Sequence, residues 1–414
     1  MEESGRARRR PRAAASRWSW GAVIALLVLA TTPAVWPAGA EAAETPDHLL
    51  VVNSVEWGGP DDNLGDGICR TRTDGDTPVC TLRAAVEQAN ALNAAGAAGS
   101  IEITVADSIG PATRMVGGQS VTSLDARAAR MRVTPIWSQD YYGAFFEVTG
   151  PVTIDLRHRL LVNGASAPAC SSATTCDSSE GAAFYLNGPG ITVRNADQVL
   201  SAGSSFVFGP AARDVVLDGS ADGTRGHVIA TDNYNPERFA TFLPGARNVT
   251  IQHYDVRGYY GSQTDAGIYY FASGASAVEH VVIDDVVTSY PPSAGGGCGS
   301  LDGTGCAARI ISAIGARIDG LALRHLKIAN LRDVHALHMP LAWVNDLEIT
   351  DGVFLGNNVY GTGESEAFLL LPMDDRLTGT TTVQRNVFTS APGSGDVAIY
   401  LLGKKPAGSV EPSG

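Results

Sequence analysis

The chain has 414 residues, which suits two or three domains or one long repeat domain, and its 44% hydrophobic content is enough for a large core. With 18% charged residues, 47 glycines and 21 prolines, the composition excludes a disordered polyelectrolyte, a collagen and a coiled coil. The formal net charge is −13, and it becomes −17 without the first 40 residues, which carry six arginines and two glutamates. Because so acidic a surface repels phosphate backbones, we expect no nucleic-acid partner.

Residues 1–42 are predicted to form a signal peptide. Arginines between Arg6 and Arg17 precede the apolar run 21–30, and small residues that a signal peptidase accepts follow at 38–40 and 40–42. The apolar run is shorter than the roughly 20 residues that a membrane-spanning helix needs. The alternative is an uncleaved anchor over 18–36. We favour cleavage, and we expect a secreted or cell-surface protein with no membrane span after cleavage.

Six cysteines fall into three close pairs, each in a loop rich in small and polar residues: Cys69 with Cys80, Cys170 with Cys176, and Cys298 with Cys306. Pairing of nearest neighbours is favoured because each bond then closes a short loop. Zinc is the competing interpretation, but no pair has the C-x₂-C spacing that presents two thiolates to one metal. We therefore expect three disulfides, formed in an oxidising compartment.

The segment 48–105 carries the most specific motif in the chain. Residues 49–53 are predicted to form a strand, and a Gly/Asp-rich loop follows over 61–69. Residues 82–90 are predicted to form a helix with Thr81 as its N-cap. The alternating residues 101–105 are predicted to form a second strand.

This order of strand, Gly-Asp-Gly-x-Cys loop, Cys-Thr-Leu-Arg helix and strand resembles the CSLREA-type domain of exported bacterial proteins. Ala84 stands where the family usually has Glu. The resemblance implies that residues 48–105 cap a right-handed parallel β-helix of the pectin-lyase-like class, and it implies no catalytic residue. The acidic loop 61–66 lacks the ligand spacing of an EF-hand, so we favour Asx turns over a calcium site there.

A short template recurs between residues 106 and 402, in which an apolar residue is followed by others at +2, +5 and +7. Five clear copies begin at Val249, Val281, Leu321, Leu347 and Thr381, and looser copies begin near Val152, Ile191 and Val215. Short strands at intervals of 24 to 40 residues are typical of a parallel β-solenoid. A propeller and a β-sandwich are disfavoured alternatives. We therefore predict an all-β, right-handed parallel β-helix over 106–402 with a flexible tail at 403–414.

The template predicts an inward column made of Ile251, Ile283, Leu323, Ile349 and Val383. The residue two positions after each of these marks a corner of the coil, which gives His253, Asp285, His325, Asp351 and Arg385. Neighbouring strands lie about 4.8 Å apart, so these corner groups are expected to form one charged row.

Asp284, Asp285, His325 and Asp351 are the catalytic candidates for acid–base attack on a glycosidic bond. A lyase would instead use Arg324 or Lys327 as the base beside bound calcium. We favour a solvated row of paired charges over either chemistry. His335 and His338 have a metal-ligand spacing, but a partly buried pair is favoured.

Paired tyrosines suggest a ligand-binding flank, because one ring of each adjacent pair should point outward on a strand. The candidates are Tyr259, Tyr260, Tyr269 and Tyr270. We expect an exported, non-catalytic module that binds a neutral extracellular polysaccharide or a surface partner as a monomer, with no cofactor and no metal. The alternatives are a polysaccharide lyase or glycoside hydrolase, in which calcium enters only with the lyase, and a structural spacer.

Overall fold

The computed structural model describes residues 45–54, 60–74, 77–109, 114–116, 119–121, 123–125, 144–162, 182–199, 204–221, 223, 225–229, 238–257, 267–289, 309–331, 336–356, 367–372, 374–389 and 397–402. The chain divides into the units Met1–Thr45 and Pro46–Gly414, and every helix and strand described below belongs to the second unit. The predicted signal peptide and the predicted tail lie outside the described residues.

One of the three predicted disulfides lies within the described residues. The Cys69–Cys80 bond is present, with Cα atoms 5.3 Å apart, and it closes the loop before the helix as predicted. The other four cysteines, Cys170, Cys176, Cys298 and Cys306, all lie outside the described residues. The bond of Cys170 with Cys176 and the bond of Cys298 with Cys306 therefore stay predictions.

The described residues contain one α-helix, α1 (Leu82–Ala94), and a 3₁₀ turn at Asp374–Arg376. Their strands are, in chain order, β1 (His48–Val52), β2 (Arg72–Asp74), β3 (Thr77–Val79), β4 (Ile101–Val105), β5 (Arg114–Val116), β6 (Gln119–Val121), β7 (Ser123–Asp125), β8 (Ala144–Val148), β9 (Val152–Asp155), β10 (Leu160–Val162), β11 (Ala182–Leu186), β12 (Ile191–Arg194), β13 (Asp197–Val199), β14 (Ser204–Phe208), β15 (Arg213–Asp218), β16 (Gly226–Ile229), β17 (Arg238–Phe242), β18 (Arg247–Arg257), β19 (Gly267–Phe271), β20 (Val278–Ser289), β21 (Arg309–Ala313), β22 (Arg317–Arg324), β23 (Lys327–Leu331), β24 (Leu337–His338), β25 (Trp343–Thr350), β26 (Val353–Gly356), β27 (Ala367–Pro372), β28 (Leu377–Gln384), β29 (Val387–Thr389) and β30 (Val397–Leu402).

Parallel pairing builds two long sheets, of 17 and nine strands, and the chain alternates between them. Face 1 consists of β1, β4, β9, β12, β15, the first parts of β18 and β20, β22, β25 and β28. Face 2 consists of β7, β10, β13, β16, the last parts of β18 and β20, β23, β26 and β29. Face 3 is the nine-stranded sheet from β8 to β30. We call one passage through the three faces a coil. The all-β, parallel architecture predicted from the template is confirmed, and it is compatible with a β-helix solenoid.

The inward residues of face 1 stack in register from coil to coil. Ile251 lies opposite Ile283, and the alignment continues through Leu323, Ile349 and Val383 as predicted. Towards the N-terminus the same column continues through Leu217, Val193, Ile154, Ile103 and Leu50. One slip of register would expose every one of these side chains, so their burial fixes the alignment of the coils.

Aromatic rings fill the interior behind face 3. Successive strands stack Phe184 on Phe206 with ring centroids 5.7 Å apart, and they stack Phe242 on Phe208 at 4.9 Å and on Phe271 at 4.6 Å. Stacked rings at this distance add roughly 0.5–1.5 kcal/mol per pair to the burial of their surface. The interior of this sheet is therefore rigid enough to hold the outer side chains at fixed spacings.

The N-terminal end of the core is covered by α1. The Thr81 hydroxyl accepts a hydrogen bond from the Ala84 amide at 3.1 Å, which confirms the predicted N-cap. The helix runs four residues beyond the predicted 82–90 because 91–94 contains only helix-compatible residues before Gly96. Its buried side packs on the interior, and Asn90 and Asn93 bind backbone oxygens near β8 and β9.

The C-terminal end of the core is less covered. Ile349 and Phe354 are at most 1% exposed, whereas Val383 and Phe388, which lie opposite them in the next coil, are only partly buried. Ile399 is likewise partly buried opposite the fully buried Leu369. Among the described strands, none pairs with the outer edges of β28, β29 and β30.

Candidate binding surface

In the five coils from β18 to β28, the corner between faces 1 and 2 is a single residue with a left-handed backbone. The five predicted corner residues all adopt it, with φ of 61° for His253, 48° for Asp285, 49° for His325, 58° for Asp351 and 55° for Arg385. Asp tolerates this region through local hydrogen bonding, and His is also enriched there. For Arg the conformation costs more, so the coil geometry imposes it. The corners therefore hold charged side chains at fixed one-coil intervals.

Two histidines at these corners bind an aspartate of the coil before. His253 Nδ1 donates to Asp218 Oδ1 at 2.8 Å, and His325 Nδ1 donates to Asp284 Oδ1 at 2.8 Å. Burial raises the pKa of Asp218, but the hydrogen bonds from His253, Ser220 and Gln252 outweigh burial and hold that pKa below its usual value. The hydrogen bond with Asp284 raises the pKa of His325, with smaller contributions from the charges of Asp351 and Asp285.

The other acidic candidates are also bound to cations. Arg225 donates to both carboxylate oxygens of Asp285, at 2.8 and 2.7 Å. Arg385 does the same to Asp351, at 2.7 and 2.8 Å, and this lowers the pKa of Asp351. Together, these contacts form a row of paired side chains along the corners, as favoured from the sequence. His253, His325 and Arg385 each bind a carboxylate of the preceding coil.

The predicted tyrosine flank is wrong at one residue. Tyr269 is 0% exposed because it points inward from β19, where its ring centroid lies 5.7 Å from that of Phe239. Tyr270 points outward, as alternation on a strand requires, but the guanidinium of Arg238 lies 3.7 Å from its ring centroid. Tyr259 and Tyr260 lie outside the described residues, and so does His335. His338 lies in β24.

A depression lies on the outer side of face 1, close to the corner column. It has a volume of about 540 Å³, and its floor includes Val282 and Ala322. Its rim is polar and includes His280, Glu348, Thr382 and Gln384. Arg324 also borders it and binds Glu348 through two hydrogen bonds of 3.0 and 2.7 Å, which lower the pKa of Glu348.

The depression exists because one coil carries small outward residues. Gly320 and Ala322 lie in β22, between longer side chains on β20 and β25. Gly320 has a φ of 79°, and a Cβ there would lie 3.2 Å from the His280 ring. A larger residue would therefore be strained and would displace that ring. The sequence template does not reveal this depression, because the template describes only inward and corner residues.

The acidic loop before α1 is organised by Asx turns, as favoured from the sequence. Asp61 accepts from the amides of Asn63 and Arg70, each at 3.0 Å, and Asp66 accepts from the Ile68 amide at 2.8 Å. Burial raises the pKa of Asp61, although the two amide hydrogen bonds oppose it. Within the described residues, no group of three or more His, Cys, Asp or Glu side chains could hold a metal ion.

Comparison with known proteins leaves the family open. No family model, no curated protein and no solved structure matches the chain. The CSLREA and pectin-lyase-like resemblances therefore stay predictions. In the part of the chain that the structure describes, no helix is both long and apolar enough to cross a membrane.

Proposed function

We propose that the protein is an exported, right-handed parallel β-helix that binds an extracellular glycan on the outer side of face 1 without cleaving it. The observation that carries this proposal is the depression over Gly320 and Ala322. An apolar floor with polar groups at its rim matches a sugar ring, which presents C–H groups on one side and hydroxyls at its edge. The basic, apolar N-terminus supports export.

The ion pairs that Asp285 and Asp351 make within the chain favour glycan binding over catalysis. A general acid or base needs a proton that it can give or take at the working pH. Asp351 and Asp285 each make two hydrogen bonds with a guanidinium, and Asp351 has a lowered pKa. Both carboxylates are already occupied as acceptors of a guanidinium, and the lowered pKa of Asp351 makes it a poor general acid.

One observation favours the hydrolase or lyase alternative. The His325 side chain is 59% exposed and is oriented by Asp284, and a carboxylate-oriented imidazole is a common acid–base arrangement. If the protein turns over a polysaccharide and His325→Ala abolishes the turnover, the enzyme interpretation replaces ours.

A filling substitution tests the proposal. Ala322→Phe places a ring in the depression without changing the core, and Thr192→Phe adds the same ring at an outward position several coils away. We expect Ala322→Phe to abolish retention on the polysaccharide that the mature protein binds, and Thr192→Phe to retain it. Retention is measured on a panel of immobilised polysaccharides, with parallel assays for reducing ends and unsaturated products. If Ala322→Phe is still retained, the binding site lies elsewhere. If the protein neither binds nor cleaves any polysaccharide, the structural-spacer alternative is favoured.

A further inference from the structure

Three side chains from successive coils stack at the start of the face 1 strands, upstream of the depression. The guanidinium carbon of Arg317 lies 5.2 Å from the Trp343 ring centroid, and that of Arg376 lies 4.8 Å from it. Arg317 lies opposite Trp343 in the preceding coil, and Arg376 directly precedes β28 in the following coil. The order of the coils therefore places the two cations on opposite sides of the ring.

These two arginines differ from their neighbours on the same face. Arg194 and Arg324 each bind carboxylates, whereas within the described residues neither Arg317 nor Arg376 has a carboxylate partner. A guanidinium that stacks through its plane keeps its in-plane N–H donors available, and that edge matches a carboxylate or sulfate. The stack thus brings together two arginines that make no ion pair among the described residues, although Asp319 and Asp375 lie close to them in the chain.

The stack is also accessible and partly apolar. Trp343 is 39% exposed, and the nearby Leu341 is 50% exposed. Contact with the ring holds both guanidinium groups in place, so less side-chain freedom is lost when they bind an anion. An exposed ring edge and a leucine beside oriented cations suit a sugar ring that carries a negative group.

We propose that the Arg317–Trp343–Arg376 stack binds a carboxylate or sulfate group on the glycan, and this inference rests on the proposed function. Along β25, Trp343 is five residues before Glu348, which corresponds to about 16 Å of strand. Asp346 also borders the depression, and Arg324 there is already bound to Glu348, so a second anion would meet no unpaired arginine among the lining residues. The preferred ligand is therefore a polysaccharide that alternates charged and neutral sugars, which departs from the neutral glycan expected from the sequence.

The test compares two double variants that remove equal charge. Arg317→Gln with Arg376→Gln removes the stacked cations, and Arg213→Gln with Arg247→Gln removes two exposed arginines of the same face several coils away. Binding is measured by calorimetry with unsulfated chondroitin, chondroitin sulfate, polygalacturonate and neutral galactan, each at low and high salt. The two chondroitins distinguish carboxylate from sulfate.

We expect the mature protein to prefer a chondroitin over polygalacturonate and galactan, with affinity that falls at high salt. The stack variant should lose affinity about tenfold or more, and the control variant should lose little. Equal losses in both variants, or no loss in the stack variant, overturn the inference. Binding of galactan without preference for charge also overturns it but leaves the proposed function standing. If Ala322→Phe abolishes neutral and charged binding alike while the stack variant abolishes neither, only the anion site fails. If no glycan binds, both fail.

Discussion

The first and last coils differ in how their inward apolar residues are covered. At the first coil, α1 and the Cys69–Cys80 loop lie over the end of the core, and Val52 is 0% exposed. At the last coil, Val383 ends the inward column that begins at Leu50, and it is only partly buried, as is Phe388, whereas Leu50 is 2% exposed. The same template residue therefore contributes different amounts of stability, because burial depends on the next layer and not on the strand itself.

Removing the disulfide should have the largest effect and should act at one end only. The bond spans 11 residues, for which loop-closure entropy predicts a loss of about 3 kcal/mol in the variant with Cys69→Ser and Cys80→Ser. Hydrogen exchange should accelerate in α1 and β1 and stay unchanged in β28. Faster exchange at both ends would mean that the coils unfold as one unit. The two ends would then not differ in local stability.

A matched pair of valine truncations measures the difference between the ends. Val52→Ala removes buried methyl groups and leaves a cavity, so it should cost about 2 kcal/mol of unfolding free energy. Val383→Ala should cost under about 1 kcal/mol, because its side chain is already partly solvated. Urea unfolding of both variants tests this, and equal losses would show that something covers the last coil in solution.

The smallest expected effect is a change in the pKa of Asp351 when Arg385 at the last corner is replaced. Arg385 lies there and lowers the pKa of Asp351, so Arg385→Gln should return that pKa towards its ordinary value. Because the pKa of Asp351 is lower in the folded protein, its ion pair stabilises the fold at pH values above the ordinary carboxyl pKa of 3.8. This stabilisation is lost as the pH falls through the lowered pKa of the folded state. Carbon-13 NMR titration of the Asp351 carboxyl measures the shift. An ordinary pKa in the unmodified protein would indicate that the last coil frays.

The sequence predicted the features that are set by residues within a single repeat. Alternating apolar residues located the inward column through Ile283 and Leu323, and the break in alternation located the corners, because both follow from strand geometry. The helix was identified from the Thr81 cap and its apolar side.

Contacts between coils escaped prediction because their partners are far apart in the chain. Arg225, which binds Asp285, lies outside the template, and Trp343 meets Arg317 and Arg376 only after the coils stack. Tyr269 was assigned to the surface because two adjacent tyrosines do not reveal which one faces inward. That choice depends on the alternation of face 3, where Phe271 is also buried.

The pairing of corner side chains with carboxylates repeats every two coils. His253, His325 and Arg385 occupy every second corner, and each binds a carboxylate supplied by the coil before it. Deleting the single coil that carries Asp284 would bring His325 against Gln252, which has no charge, although the inward residues would still align. Deleting the two coils that carry His253 and Asp284 would instead bring His325 against Asp218 and restore a pair. The inward residues would therefore still align after one coil is gained or lost. The pairs at the corners are kept only when coils are gained or lost two at a time.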